Sequence, residues 1–259
     1  MMEMNEDSIR LGDPIEALLA LYRQPPMDKM KAPGFGRPDA ATLPITALFK
    51  RKTMDRLLRQ HTASYGESAD CKAAASIWSK HFFSLVSSPT LVANLLLGQG
   101  FPLQPDQLRV ELGERSQVKR LWLRDGGQPL ASQALHERFA PLFEGLCAPL
   151  VDVLAELSGL SPKVYWSNLG HYVEILGQSC SRHSAFLNAG EPLLRFLDTP
   201  MLPDGRRNPL YQPVRYLELG GDTPNRVRRL CCIKYRLPDE PLCGACPLKP
   251  ENCQAKRHR

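Results

Sequence analysis

The sequence lacks the features of an exported or membrane-anchored protein. Its most apolar stretch, residues 85–97, is interrupted by polar residues and a proline, and it falls well short of the roughly 20 residues that span a bilayer. The N-terminal segment, residues 1–13, carries acidic residues where a signal peptide requires a basic region followed by an apolar one. From these absences we expect a cytoplasmic protein without a transmembrane anchor.

Several catalytic motifs are also missing from the sequence. It has no G-x-S-x-G elbow, no G-x-G-x-x-G after a strand and no Walker loop, which disfavours hydrolysis, direct nicotinamide binding and nucleotide hydrolysis. The histidines are dispersed, with no H-x-x-x-H pair and no H-E-x-x-H, which disfavours a catalytic metal site built on histidine. The chemistry must therefore come from another group of residues.

The composition indicates a folded chain of one large or two small domains. Of the 259 residues, 43% are hydrophobic and 23% are charged, which argues against disorder, collagen and a coiled coil. We predict an α+β fold, mainly helical with a small antiparallel sheet and a Cys-rich C-terminal segment. The expected division is residues 1–210, a domain that holds the substrate, and residues 211–259, a hairpin followed by the metal-binding segment.

Apolar periodicity and capping residues predict the individual elements. The predicted helices cover residues 14–24, 44–61, 73–97, 132–157 and 191–197. Pro89 can break the third of these helices. A further helix is predicted to begin at a cap on Ser167 or Asn168 and to continue to residue 187. The predicted strands cover residues 118–124, 214–219 and 227–232, and the last two flank a turn at Gly220-Gly221-Asp222.

Charge and cysteine are both concentrated in the C-terminal quarter. Residues 205–259 contain 12 Lys and Arg against 5 Asp and Glu, and five of the eight cysteines fall within the last 29 residues. Because cytoplasmic thiols are not expected to form structural disulfides, this cluster indicates a metal site or a catalytic site. Cys71, Cys147 and Cys180 stand alone in helical patterns and are expected to be buried apolar residues, and Cys253 is expected to be a spare thiol.

The cysteine motif is C-C-x10-C-x2-C, formed by Cys231, Cys232, Cys243 and Cys246. Sulfur ligands select iron–sulfur clusters, zinc or Cu(I), and the C-x2-C half is the common two-thiolate clamp. Adjacent cysteines, however, point to opposite faces if a strand continues through them. The residues alone therefore leave a [2Fe–2S] cluster, structural zinc and a simple group of thiols open.

The segment VRRLCCIKYRLPDEPLCGACPLK closely resembles the C-terminal signature of the FhuF-type siderophore-iron reductases. Residues 164–170, VYWSNLG, are similar to the W-S-N-x-G element of that family, and Asn208-Pro209-Leu210 also fits it. The resemblance is specific over residues 163–250. It implies one [2Fe–2S] cluster per chain, with Cys231, Cys232, Cys243 and Cys246 as ligands and no catalytic residues beyond them.

The resemblance further implies that an electron passes from the cluster to Fe(III) in a siderophore, typically of the hydroxamate type, and that Fe(II) is released in the cytoplasm for iron assimilation. The expected electron donor is a ferredoxin or a separate NAD(P)H-dependent reductase. A peripheral contact with the inner membrane is left open, and no nucleic-acid partner is expected. The expected substrate-binding residues are Trp166, Asn168, His171, Arg228, Arg229 and Arg236.

An alternative from a different functional class is a zinc-stabilised binding protein without redox activity. It would interact with its partner through the basic C-terminal tail. The metal content of the purified protein separates the two hypotheses.

Overall fold

The structure is a computed structural model that describes residues 13–38, 41–132, 134–184, 186–219 and 223–254. The N-terminal segment 1–12 and the predicted turn at Gly220-Gly221-Asp222 lie outside the described residues.

The described part of the chain is mainly helical. Its α-helices are α1 (Pro14–Leu21), α2 (Arg51–Ala63), α3 (Cys71–Leu96), α4 (Leu135–Ala140), α5 (Ala148–Ser158), α6 (Pro162–Ser181), α7 (Glu191–Leu197) and α8 (Pro250–Gln254). A π-helical segment, Pro141–Cys147, joins α4 to α5, and 3-10 turns lie at Met27–Lys29, Ile45–Phe49 and Lys234–Arg236. Within these described residues, no helix combines the length and the apolar character needed to cross a bilayer.

The strands form three small sheets. They are β1 (Gly34–Phe35), β2 (Thr42–Pro44), β3 (Gln99–Gly100), β4 (Arg109–Leu112), β5 (Val118–Leu123), β6 (Gln128–Pro129), β7 (Val214–Leu217) and β8 (Asn225–Arg228). The largest sheet has the order β1-β5-β4-β2, and its pairs are antiparallel except for β1 with β5. The predicted α+β class is thereby confirmed, with one parallel pair that the sequence pattern did not indicate.

Helix α3 is the centre of the core. Asp70 caps its N-terminus by accepting hydrogen bonds from the backbone N–H groups of Lys72 and Ala73. Almost every residue after Cys71 and Lys72 is buried, and the helix packs most extensively against α6. The break considered at Pro89 does not occur, because packing on all sides holds the helix together where the proline removes one backbone hydrogen bond.

Helix α6 begins earlier than the sequence pattern indicated. Ser161 is its N-cap and accepts from the N–H of Lys163, with Pro162 as the first helical residue. The prediction that Ser167 or Asn168 caps this helix is wrong, because the Ser-Pro pair upstream already supplies both favoured N-terminal signals. Asn168 instead lies in the second turn of the helix, fully buried.

Gly170 on α6 sets how closely the C-terminal segment approaches this helix. A Cβ atom at this position would lie 2.5 Å from Cβ of Pro213, just before β7. We expect Gly170→Ala to lower the free energy of unfolding by about 1–3 kcal/mol, because the added methyl group forces the helix and the hairpin apart. Urea denaturation measures the change.

The matched control is Gly145→Ala in the π-helical segment. Its added Cβ would meet nothing closer than the carbonyl oxygen of Ala140 at 4.0 Å, so this variant should be neutral or slightly stabilised. Equal stability of the two variants would contradict the close-approach argument.

Candidate metal centre

The two halves of the cysteine motif meet because β8 ends before the first of them. The strand stops at Arg228, and Ile233 has a left-handed backbone conformation with φ of 52°. The chain therefore turns sharply at the adjacent cysteines instead of continuing as a strand. The sulfur of Cys231 lies 4.0 Å from that of Cys246, and the sulfur of Cys232 lies 4.0 Å from that of Cys243.

The ten-residue interval between the cysteine pairs is attached to α3. Ile233 and Leu237 pack in a small apolar cluster with Ala73, Ala74 and Ile77. The guanidinium of Arg236 pairs with the carboxylate of Asp70 at 2.9 Å, and Lys234 pairs with Glu240 within the interval at 2.5 Å. These contacts fix the position of Cys232 relative to the long helix.

The C-x2-C segment is held from its other side by the hairpin and by α8. The backbone N–H of Arg228 donates to the carbonyl of Ala245 at 2.9 Å. The buried amide of Asn252 donates to the carbonyl of Cys246 at 2.7 Å and accepts from Asn225 at 2.7 Å. The loop that carries Cys243 and Cys246 is therefore anchored to β8 at two points.

The sulfur positions fit two metal ions better than one. Two thiolates bound to one tetrahedral ion at about 2.3 Å lie about 3.8 Å apart, close to the 4.0 Å seen within each sulfur pair. Among the described residues, no group of three or more His, Cys, Asp or Glu side chains is arranged to hold a single metal ion. These two pairs, between which Cys231 and Cys232 are also in contact, supply four thiolates, which is the ligand set of a [2Fe–2S] cluster.

A buried cation lies next to the cysteines. Arg228 has no exposed surface, and its Nη2 donates to Oδ1 of Asn168 at 2.5 Å and to the hydroxyl of Ser167 at 3.2 Å. Its Nε and Nη1 are buried without a hydrogen-bond partner among the described residues. Because an unpaired buried charge is strongly unfavourable, this guanidinium fits a site that also receives negative charge, as a four-thiolate metal centre does.

Asn168 connects that cation to α3 and to the cysteine backbone. Its amide nitrogen donates to the carbonyl and the hydroxyl of Ser76, at 3.0 and 2.9 Å, and to the hydroxyl of Ser79 at 3.0 Å. The hydroxyl of Ser76 in turn donates to the carbonyl of Cys232 at 2.8 Å. One buried network therefore links α3, α6, β8 and the first cysteine pair.

Electrostatics in this group favour ionisation at Cys232. Hydrogen bonds with the thiols of Cys231 and Cys243 lower its pKa, and the positive charges of Lys80 and Arg228 lower it further. The same hydrogen bonds raise the pKa of Cys231 and of Cys243. Burial lowers the pKa of Lys80, and the nearby Cys232 and Cys243 oppose that change, so Lys80 is a second cation facing the sulfurs.

The structure separates the six residues expected to bind substrate. Trp166 and Arg229 line a cavity of about 630 Å³ between the start of α6, the loop 200–213 and residues 229–230. We call this cavity the Trp166 pocket. Asn168 and Arg228 belong to the buried network beside it, and Arg236 faces Asp70 on another side of the segment.

His171 is half-buried in a second network that locks the hairpin onto α6. Arg226 bonds the ring nitrogen and the carbonyl of His171, at 3.0 and 2.9 Å, and pairs with the buried carboxylate of Glu174 at 2.5 Å. Tyr216 also donates to Glu174. Burial, followed by the charges of Arg228 and Arg226, lowers the pKa of His171 to about 3, so this histidine is neutral near pH 7.

The four remaining cysteines divide by exposure. Cys147 and Cys180 are buried, as predicted, and Cys253 is exposed. The expectation of burial is wrong for Cys71, which is exposed because it is the first residue of α3.

Three residues near the cysteines were not indicated by the sequence pattern. Ser76, Ser79 and Lys80 lie on α3, and Ser76 is separated from Cys232 by 156 positions in the chain. A signal was available in the sequence, because these polar residues recur at helical spacing within an otherwise apolar helix.

Comparison with known proteins gives two family matches and one relative. The family model described as "Ferric iron reductase FhuF-like transporter" matches residues 76–223, more than half of the chain. The model described as "FhuF 2Fe-2S C-terminal domain" matches residues 228–248, which include all four cysteines of the motif. The second match confirms the predicted [2Fe–2S] cofactor.

The relative is the protein named "Ferric siderophore reductase" from Escherichia coli (strain K12). It is 27% identical over 190 residues, which cover 69% of this chain and 66% of the relative. The chain thus spans slightly less than two thirds of the length of this relative.

The buried network predicts a large effect of substitution at Asn168. Asn168→Ala removes partners from Arg228, Ser76 and Ser79 at once, and a loss of about 3 kcal/mol follows from the unsatisfied buried groups. We expect the midpoint of thermal unfolding of the holoprotein to fall by roughly 5–10 °C.

Asn225→Ala is the control, because within the described residues this half-buried side-chain amide makes one hydrogen bond, to Asn252. Its melting temperature should fall by no more than about a third as much. A smaller loss in Asn168→Ala than in this control would remove the central role of the network.

Proposed function

The chain belongs to the FhuF-like family, and on that premise we propose that it is a ferric-siderophore reductase, an oxidoreductase that delivers one electron to siderophore-bound Fe(III). The observation that carries the proposal is the site itself. It has two sulfur pairs beside a buried guanidinium, two of whose nitrogens have no hydrogen-bond partner among the residues that the structure describes. A cofactor of negative charge fits there, and the printed name of the E. coli relative supports the substrate class.

We assign the cluster ligands to Cys231, Cys232, Cys243 and Cys246, with one cluster per chain. The short sulfur distances support a pairing of Cys231 with Cys246 on one iron and of Cys232 with Cys243 on the other. With this pairing each iron would take one thiolate from each half of the motif, so neither half would hold a metal ion alone. This arrangement explains why the ten-residue interval must be fixed to α3.

The chain contributes charge, hydrogen bonds and shielding to this site. A [2Fe–2S] cluster, when bound, supplies single-electron transfer, and its potential depends on nearby charge, hydrogen bonds and exposure. Arg228 and Lys80 offset negative charge from inside the protein. The backbone N–H groups of Ile233 and Leu248 donate to the sulfurs of Cys231 and Cys246, at 3.2 and 3.5 Å. All of these contacts favour the more negative, reduced form of the centre.

The substrate chemistry explains why one electron releases iron. Fe(III) is a hard ion that suits the anionic oxygens of a siderophore, whereas Fe(II) has a lower charge and binds them less tightly. We propose that Fe(II) is released in the cytoplasm, since a thiolate site with its other cysteines free suits a reducing compartment. The division proposed above, with residues 1–210 holding the siderophore and 211–259 holding the cluster, belongs to the same proposal. In this proposal, the electron that reduces the cluster comes from a ferredoxin or a separate NAD(P)H-dependent reductase.

Anaerobic purification tests the assignment directly. The proposal expects two iron and two sulfide per chain, a visible charge-transfer spectrum and loss of both in Cys231→Ser. The chemically reduced protein should be reoxidised by a ferric siderophore with one Fe(II) formed per cluster, because the cluster transfers a single electron.

Cys253→Ser serves as the control, since this exposed thiol lies outside the four-sulfur group. It should retain the full spectrum and iron content. A colourless protein with one zinc would exclude the reductase and support the zinc-stabilised binding protein.

The buried cations predict the direction of a shift in potential. Arg228→Met removes a positive charge beside the sulfurs while keeping an unbranched side chain, and it should lower the reduction potential by several tens of millivolts because the reduced form carries more negative charge. Lys80→Met should shift the potential in the same direction. Redox titration of the visible spectrum measures both variants.

Arg236→Met is the matched control. This half-exposed guanidinium pairs with Asp70, and solvent screens its charge, so the potential should move by much less. An unchanged or higher potential in both Arg228→Met and Lys80→Met would contradict the role of these cations.

A further inference from the structure

The Trp166 pocket is a cavity whose lining includes Leu230, the residue before the first cysteine of the motif. Its volume of about 630 Å³ lies within the usual range for small-molecule sites. Trp166 and Tyr211 supply aromatic surface, and Leu230 forms part of the wall. Leu230 is adjacent in the chain to Cys231, so a single residue separates the pocket from the four-sulfur group.

The polar lining of the pocket is cationic. Lys163, Arg207 and Arg229 line it, and no Asp or Glu is among the described residues that do so. All three side chains are exposed, and within the described part of the chain none of them forms an ion pair. Arg229 is oriented by a hydrogen bond from its Nη2 to Oε1 of Gln212 at 2.5 Å.

The three cations come from three different elements of the fold. Lys163 comes from the first turn of α6, Arg207 from the loop after α7, and Arg229 from the residue after β8. Charges from three separate parts of the fold thus converge on one aromatic cavity. Unneutralised convergent cations with low-dielectric walls focus a positive potential that concentrates anions.

From these observations we infer that the Trp166 pocket binds ferric chelates of net negative charge, with catecholate or hydroxycarboxylate donors, in preference to neutral trishydroxamates, which differs from the hydroxamate type that the family resemblance implies. The inference rests on the proposed function, since it names the substrate class for that same site. The aromatic walls contact the organic skeleton of the chelate, and the three cations contact its anionic oxygens. The chelate then lies against Leu230, next to Cys231.

Binding is tested separately from reduction by using gallium(III). Ga(III) chelates have the charge of the Fe(III) complexes but accept no electron under these conditions. Isothermal titration of the oxidised holoprotein with a Ga(III) tricatecholate and with a neutral Ga(III) trishydroxamate of similar size compares the two classes. We expect the anionic chelate to bind at least about tenfold more tightly, and its affinity to fall with added salt.

A double substitution at the pocket rim tests whether the lining cations cause the preference for the anionic chelate. Lys163→Met with Arg207→Met should weaken the anionic chelate about tenfold and leave the neutral one nearly unchanged, because two exposed charges are lost. Lys52→Met on α2 is the control for an exposed cation that does not line the pocket, and it should change neither affinity. The chelate should quench the tryptophan fluorescence of the protein. Loss of this quenching in Trp166→Phe places the chelate beside Trp166.

The outcomes distinguish failure of the pocket from failure of the reductase. Equal affinity for the two chelates, or an unchanged affinity in the double variant, overturns the pocket assignment even if reduced protein is reoxidised by ferric siderophores. Selective binding that depends on the rim cations supports the assignment even if the reduced protein transfers no electron.

Discussion

The buried guanidinium of Arg228 is the interaction on which the cysteine end of the protein depends. A cation with no exposed surface is unfavourable unless hydrogen bonds and opposite charge compensate it. Asn168 and Ser167 satisfy one nitrogen, and two others are left facing the interior. The four-thiolate centre proposed next to it would supply the opposite charge, so that the protein interior and the cofactor would stabilise each other.

That single side chain also explains why distant segments of the sequence belong together. The W-S-N element at residues 166–168 holds Arg228 from α6, and the same arginine begins the R-R-L-C-C run that carries the first cysteines. The backbone of Arg228 contacts the C-x2-C loop through Ala245. Helix, hairpin and cysteine loop therefore share one point of attachment, and a change in any of them reaches the metal centre.

The positive charges near the cysteines form two groups, an inner one that is shielded from solvent and an outer one that is exposed to it. Arg228 and Lys80 act inside the protein, where low dielectric makes each charge strong enough to affect ionisation of the sulfurs. Arg207 and Arg229, together with Lys163, face solvent around the Trp166 pocket, where salt screens them. The inner group suits control of potential, and the outer group suits attraction of a charged ligand.

The success of the element predictions followed the strength of the local signal. The predicted helix over residues 191–197 is confirmed, because α7 has those bounds. The start of α6 was misplaced because two sets of capping residues compete there, and only packing against α3 shows that Asn168 belongs inside the helix. The hairpin was predicted, but its second strand ends at Arg228, before the cysteines, because the turn at Ile233 is required to bring the sulfurs together.

The sequence by itself determined where the metal centre lies and that its candidate ligands are thiolates, because the four cysteines lie within one short segment and the preference of thiolates for soft metals is a local property. Only the tertiary structure decided which charges surround that centre. Ser76 and Lys80 approach it from α3, and Lys163 and Arg207 converge with Arg229 on one pocket. Burial and pairing depend on contacts between residues far apart in the chain, and no local pattern contains that information.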